Sequence, residues 1–124
     1  MIGSTRSVSV FAYGQPVDMR RSFDGLSCLV TQSLSLDVLS GDLYLFVSRN
    51  RKRAKVLFWD GTGLCVYGKR LEQGRFTAVW SSPEDAQLKL TMTELQLFLE
   101  GTELLGRLPL SPAPFDYAAP LFPR

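Results

Sequence analysis

The 124-residue chain contains no histidine, and its two cysteines, Cys28 and Cys65, stand far apart. Without imidazole there is no Ser/His or Cys/His nucleophilic site and no metal site built on histidine. Cysteines without C-x-x-C spacing give neither a zinc ribbon nor a dithiol redox centre, and they read as small buried apolar residues in a reducing compartment. No apolar run approaches the ~20 residues that would span a bilayer. The N-terminal stretch "MIGSTRSVSVF" lacks the long apolar core of a secretory signal. A cytoplasmic protein is expected.

Clustered carboxylates are lacking as well. A DNA-cutting site needs two or three acids together to hold metal ions, and the twelve acids of this chain are scattered. The nearest approach is Pro83-Glu84-Asp85 followed by Lys89, but Gln87 stands where such an arrangement wants an acid. Gly61-Thr62-Gly63 is not followed by Gly-Lys-Ser/Thr, so there is no phosphate-cradling loop either. The sequence gives no ground for a catalytic residue, a metal or a cofactor.

Positive charge is plentiful, and it is concentrated. The net charge is only +2, yet residues 49–75 hold eight cations (Arg49, Arg51, Lys52, Arg53, Lys55, Lys69, Arg70 and Arg75) against Asp60 and Glu72, a local +6. The other six cations and ten acids leave −4 elsewhere. Such polarity points to a polyanionic partner. The stretch "RNRKRAK", Arg49 to Lys55, puts five of these cations into seven residues. A solvated turn would be served as well by mixed charge. An all-cationic one suits a phosphate backbone, while a solubilising loop and a dock for an acidic protein surface stay open. No recognition helix carries the cations, so the pattern suits backbone contact and not base reading.

Along the chain, "VSVFAY" (Val8 to Tyr13) reads as a strand. Phe23, Leu26, Leu29, Val30 and Leu34 fall at helical spacing and predict a helix over 22–33, with Asp18 or Ser22 as cap. Strands are predicted at Leu43–Ser48, Ala54–Trp59, Leu64–Lys69 and Arg75–Trp80, joined by short turns that force antiparallel neighbours. "DGTG" at Asp60 to Gly63 reads as a hairpin turn and not a ligand loop. A short strand at Gln87–Leu90 precedes a capping box, Thr91 to Glu94, which opens a helix closed by Gly101. Lys69-Arg70 then falls at the same end of the meander as the loop at 49–53. Arg20 and Arg21, bracketed by Asp18 and Asp24, are either locally paired or a second phosphate contact. Trp59 and Trp80 read as core residues, with base stacking as the alternative.

The expected architecture is α+β: an antiparallel meander of about five strands with two short helices on one face. Residues 1–105 form the domain. Residues 106–124, with five of the seven prolines, form an extended or disordered tail.

"DMRRSFDGL" (Asp18 to Leu26) and "LFWDGTGLCVYGKRLEQGRF" (Leu57 to Phe76) resemble the small accessory protein, TnpB, of the IS66 class of bacterial insertion sequences. It is unrelated to the RNA-guided nuclease of the same name. The resemblance runs from about Val8 to Gly101. It implies non-catalytic work in transposition beside a larger transposase, and it assigns no residue a role. Combined with the basic segment, it suggests binding of element DNA, or bridging of DNA to transposase. The alternative is a module that docks on the transposase without touching DNA. Self-association is left open.

Overall fold

The computed structural model describes residues 7–80 and 87–101. Five strands form one sheet: β1 (Val10–Tyr13), β2 (Leu43–Val47), β3 (Arg53–Trp59), β4 (Leu64–Arg70) and β5 (Gln87–Leu90). Helix α1 (Phe23–Cys28) continues into a π-helical turn at Leu29–Ser33, closed by Leu34 N–H donating to the Leu29 carbonyl at 3.1 Å. Helix α2 is Met92–Leu99.

The sheet is mixed, with order β4-β3-β2-β1-β5, and this corrects the expected all-antiparallel meander. β2, β3 and β4 do form an antiparallel meander, as their short connections require. β1, however, pairs parallel to β2, with Val10 opposite Leu43 and Ala12 opposite Leu45. The segment between them contains α1 and is long enough for a crossover. A parallel pair needs a dozen or more connecting residues, and this connection supplies them. β5 closes the other side of β1, antiparallel.

The helices lie on opposite faces, not on one. β2, "LYLFV", is buried at every position because it has a layer on each side. Leu43, Leu45 and Val47 pack with Ala54, Val56, Phe76, Leu95 and Phe98 on the α2 side. Tyr44 and Phe46 pack with Leu26, Val30 and Leu57 on the α1 side. The end of α2 follows the sequence signals: Thr91 and Glu94 exchange both capping-box hydrogen bonds, and Gly101 takes φ +96°.

Arg75–Trp80 is not a strand. It is an irregular stretch laid across the α2-side core, with Phe76 fully buried and stacked on Phe98 at 5.1 Å between ring centroids. Its buried side chains are Phe76 and Val79, three residues apart, a spacing that a strand's alternation would not give. Two further expectations are corrected: Ser22 precedes α1 but makes no side-chain cap, and Cys28 is exposed while Cys65 is half-buried. Trp59 and Trp80 are both half-buried, Trp80 against the α2-side core. The expected boundary at 105/106, the tail 106–124, and Glu84 and Asp85 lie outside the described residues.

Phe76→Ala should lower the unfolding free energy by about 3–5 kcal/mol in a denaturant titration, the range for emptying a large core site. A loss below ~1 kcal/mol would mean that residues 75–80 add nothing to the core.

Candidate nucleic-acid interface

The basic turn between β2 and β3 has no glycine, so side chains shape it. Ser48 N–H donates to the Arg53 carbonyl at 3.0 Å, and Arg51 N–H donates to the Ser48 carbonyl at 2.9 Å. The Asn50 Oδ1 accepts from the Ser48 hydroxyl at 2.8 Å and from Lys52 N–H at 3.0 Å. Ser48 Oγ in turn accepts from Arg53 N–H at 3.1 Å. These bonds hold Arg51 in the left-handed region at φ +61°, which costs a non-glycine residue energy that the turn must offset.

The turn after β4 is tied to this loop. Leu71 N–H donates to the Lys52 carbonyl at 2.8 Å, and Phe76 N–H to the Arg51 carbonyl at 2.7 Å. The Arg51 guanidinium returns a bond to the Phe76 carbonyl at 3.3 Å. In the β3–β4 ladder, Arg53 stands opposite Arg70 and Ala54 opposite Lys69. The segments 49–55, 69–70 and 75 therefore meet at one rim of the sheet. Residues 18–21 join them, because the Lys55 ammonium donates to the carbonyls of Met19 and Arg21, each at 2.8 Å.

The structure sorts the cations by what they touch. Lys55 is fixed on those two carbonyls, Lys69 on the Leu99 carbonyl at the end of α2 (2.7 Å), and Arg51 on Phe76. Arg20 pairs with Asp18 at 2.7 Å and Arg70 with Glu72 at 3.2 Å, both in solvent. Arg21 reaches the Gly25 carbonyl at 3.4 Å. Arg49, Lys52, Arg53 and Arg75 are exposed, and their side chains have no hydrogen-bond or ion-pair partner among the described residues. Two adjoining grooves run along the α1 side of the rim. One, of about 470 Å³, is lined by Met19, Arg53, Lys55, Gly68, Arg70 and Glu72 among others; the second, of about 460 Å³, includes Asp18, Arg49, Asn50 and Arg53. Met19, Gly68 and Glu72 were not marked by the sequence as parts of a site, although all three fall within the two quoted motifs.

The opposite end of the hairpin has different chemistry. Asp60 Oδ1 accepts from Thr62 N–H at 2.9 Å and Gly63 N–H at 3.0 Å, closing the β3–β4 turn. Those backbone donors, first Thr62 and then Gly63, hold the Asp60 carboxyl down to about 2. Burial pushes the Cys65 thiol up, and its bond to Asp60 at 3.5 Å adds to that. Lys89 lies 5.8 Å from the centre of the Phe11 ring, a cation–π contact. Among the described residues, no three Cys, Asp or Glu side chains come together to hold a metal ion. No helix among them is long and apolar enough to cross a membrane.

Fold and rim define a small α+β domain with one basic edge. The chain belongs to the family of IS66 Orf2-like proteins, whose model matches residues 8–107. It is 33% identical over 103 residues to the uncharacterized protein y4jC of Sinorhizobium fredii (strain NBRC 101917 / NGR234), covering 83% of this chain and 86% of the relative. It is 35% identical over 103 residues to the uncharacterized protein y4hO of the same strain, covering 83% and 88%. No solved structure matches the chain. The family carries an accessory role in transposition and is not a known catalytic family.

Two outcomes are expected. Hydrogen bonds from the Arg20 side chain, and next from its backbone N–H, hold Asp18 down to about 2 from an ordinary 3.8. Carboxyl NMR should find Asp18 and Asp60 titrating near 2, and Arg20→Ala should raise Asp18 alone. Because both values are depressed, whatever stability these groups give is present above about 3.8 and lost as pH falls through about 2. Separately, Lys55→Met leaves the Met19 and Arg21 carbonyls without their charged donor. It should cost about 1–3 kcal/mol and speed amide exchange around residues 19–23; unchanged exchange there would mean the tether holds nothing.

Proposed function

We propose that this protein acts in transposition by binding the DNA of its element through the basic rim, and that it bridges that DNA to the transposase. The observation that carries the reading is the set of unpartnered cations Arg49, Lys52, Arg53 and Arg75, gathered at one rim by the Arg53–Arg70 register and the Phe76–Arg51 bonds. Like charges directly opposite each other in a ladder are destabilising. A polyanion laid along the rim offsets that repulsion and gains the entropy of released counterions. The cations come from turns and strand ends, so they suit phosphates at any sequence. The family is not a known catalytic family, and on this reading the protein works beside a separate enzyme.

A second reading, docking on the transposase without DNA contact, is favoured by a different place. Leu88 and Met92 are 45% and 41% exposed near the β5–α2 edge. Leu88 lines a hollow of about 190 Å³ together with Val79, Leu90, Leu97 and Phe98.

The test is the salt dependence of binding to a duplex from the element's end. The wild-type protein should show a steep log–log slope. Arg49→Ser, Lys52→Ser and Arg75→Ser combined should weaken binding for all sequences alike and flatten the slope by roughly one unit per lost contact. Arg51 is left intact, since its guanidinium also holds the Phe76 carbonyl. A folded triple variant with unchanged DNA affinity would defeat the reading. Capture of the transposase with no duplex binding at low salt would favour the second.

A further inference from the structure

The rim has an internal geometry that the count of cations does not convey. Hydrogen-bonded and non-hydrogen-bonded pairs alternate along an antiparallel ladder. Asp60 N–H bonds the Gly63 carbonyl, and Leu71 N–H bonds the Lys52 carbonyl, at the two ends of the β3–β4 ladder. Both pairs belong to the register that sets Ala54 opposite Lys69 and Val56 opposite Tyr67. Cys65, Tyr67 and Lys69 therefore spend their backbone groups on β3, while those of Val66, Gly68 and Arg70 point out along the free edge of the sheet. Arg53 and Arg70 form a pair at the end of this ladder, and since side chains directly opposite share a face, both point to the α1 side.

Two residues toward the middle of the sheet, Lys55 stands opposite Gly68. A Cβ at Gly68 would meet nothing nearer than Lys55 Cγ at 3.9 Å. Space there is open, not filled by close packing, and it forms part of the groove that also contains Arg53 and Arg70. Lys55 is turned away onto the Met19 and Arg21 carbonyls. Its charge remains, because a carbonyl accepts a hydrogen bond without cancelling the charge of the donor.

One carboxylate enters this groove, that of Glu72. It takes bonds from Arg70 Nη2 at 3.2 Å and Nε at 3.4 Å. Arg53, across the ladder, has no acidic partner among the described residues. The side chains of Arg70 and Glu72 are 61% and 78% exposed, so the pair is weak and easily exchanged.

We propose that Arg53 and Arg70 form a seat for one backbone phosphate, and that the Glu72 carboxylate occupies the Arg70 half of it in the free protein as a built-in competitor. This rests on the DNA-binding reading and says where on the rim a phosphodiester sits. Two guanidiniums suit a phosphate's oxygens, as fork-shaped donors do generally. The competitor keeps the seat from taking stray anions tightly, and a duplex held by the neighbouring cations displaces it.

The experiment uses the full chain and three variants, Glu72→Gln, Arg70→Gln and the double variant, each checked for folding by circular dichroism. Affinity for an end-of-element duplex is read by fluorescence anisotropy, and Arg Nε–H resonances are followed while inorganic phosphate is added. Glu72→Gln should tighten duplex binding about three- to five-fold, the scale of one exposed ion pair. In the Arg70→Gln background the same change should have almost no effect, since Glu72 then has no seat to block. Phosphate should move the Arg53 and Arg70 resonances together, and more readily in Glu72→Gln. An equal gain from Glu72→Gln in both backgrounds would make Glu72 a diffuse negative charge and overturn the seat. Duplex binding that is steep in salt yet unchanged by Glu72→Gln would overturn the seat and leave the DNA reading standing. No duplex binding, with phosphate still moving both arginines, would keep the seat and sink the DNA reading.

Discussion

The register of β3 between its two neighbours is the constraint on which the other features depend. Ala54 and Val56 enter the α2-side core, and Leu57 enters the α1-side core. A slip of one residue would exchange these faces and bury Arg53 and Lys55 in the place of Ala54 and Val56. Because both faces are covered, the register is set by burial along the strand, and each end is then pinned by its own turn. Arg53 faces Arg70, Lys55 faces Gly68, and the Lys55 ammonium comes within reach of the chain at 19–21 as consequences of that one alignment.

The alignment also explains how a domain of this size carries a +6 segment without coming apart. Lys55, Lys69 and Arg51 serve as struts between elements by donating to carbonyls, and so stitch residues 19–21, the end of α2 and the Phe76 stretch to the hairpin. Such bonds satisfy the donors but leave the charge in place. The structural cations therefore add to the field of the unpartnered ones, and the rim is basic through both groups. The two surface ion pairs, Asp18–Arg20 and Glu72–Arg70, trim that field at its margins and contribute little to stability.

Much of this was legible in the sequence where one residue type answers one local demand. The Thr91–Glu94 box, the glycine after α2 and the Asp60 turn all formed as their chemistry predicts. The meeting of Lys69-Arg70 with the 49–53 loop followed from the antiparallel order of the meander. What failed were inferences about partners distant in the chain. The apolar residues at 76–80 predict burial, but it falls on Phe76 and Val79 and not in alternation, and apolar content alone cannot tell a paired strand from an irregular stretch lying on a core. The parallel β1–β2 pair depends on a crossover that no local signal specifies. Helices on opposite faces were concealed because β2, apolar at every position, has no alternation to reveal two covered sides. Nor can composition separate a lysine that props the fold from one whose side chain has no partner among the described residues; Lys52 and Lys55 differ only in what the fold brings beside them.

The two ends of the β3 strand are closed by the same turn device with opposite charge. Both turns rely on a side-chain oxygen that accepts backbone N–H groups two or three residues on. At the far end that oxygen belongs to Asp60, whose negative charge is stabilised by Thr62 and Gly63 N–H. At the basic end it belongs to Asn50, accepting from Lys52 N–H and the Ser48 hydroxyl. Aspartate and asparagine are interchangeable as acceptors in such turns. Amid five cations an aspartate would even be favoured by its neighbours, since it would lower their mutual repulsion. Turn geometry and stability together thus fit Asp at position 50 at least as well as Asn. The neutral residue leaves the loop's field at full strength, so the turn's geometry is met without any acid to offset its five cations.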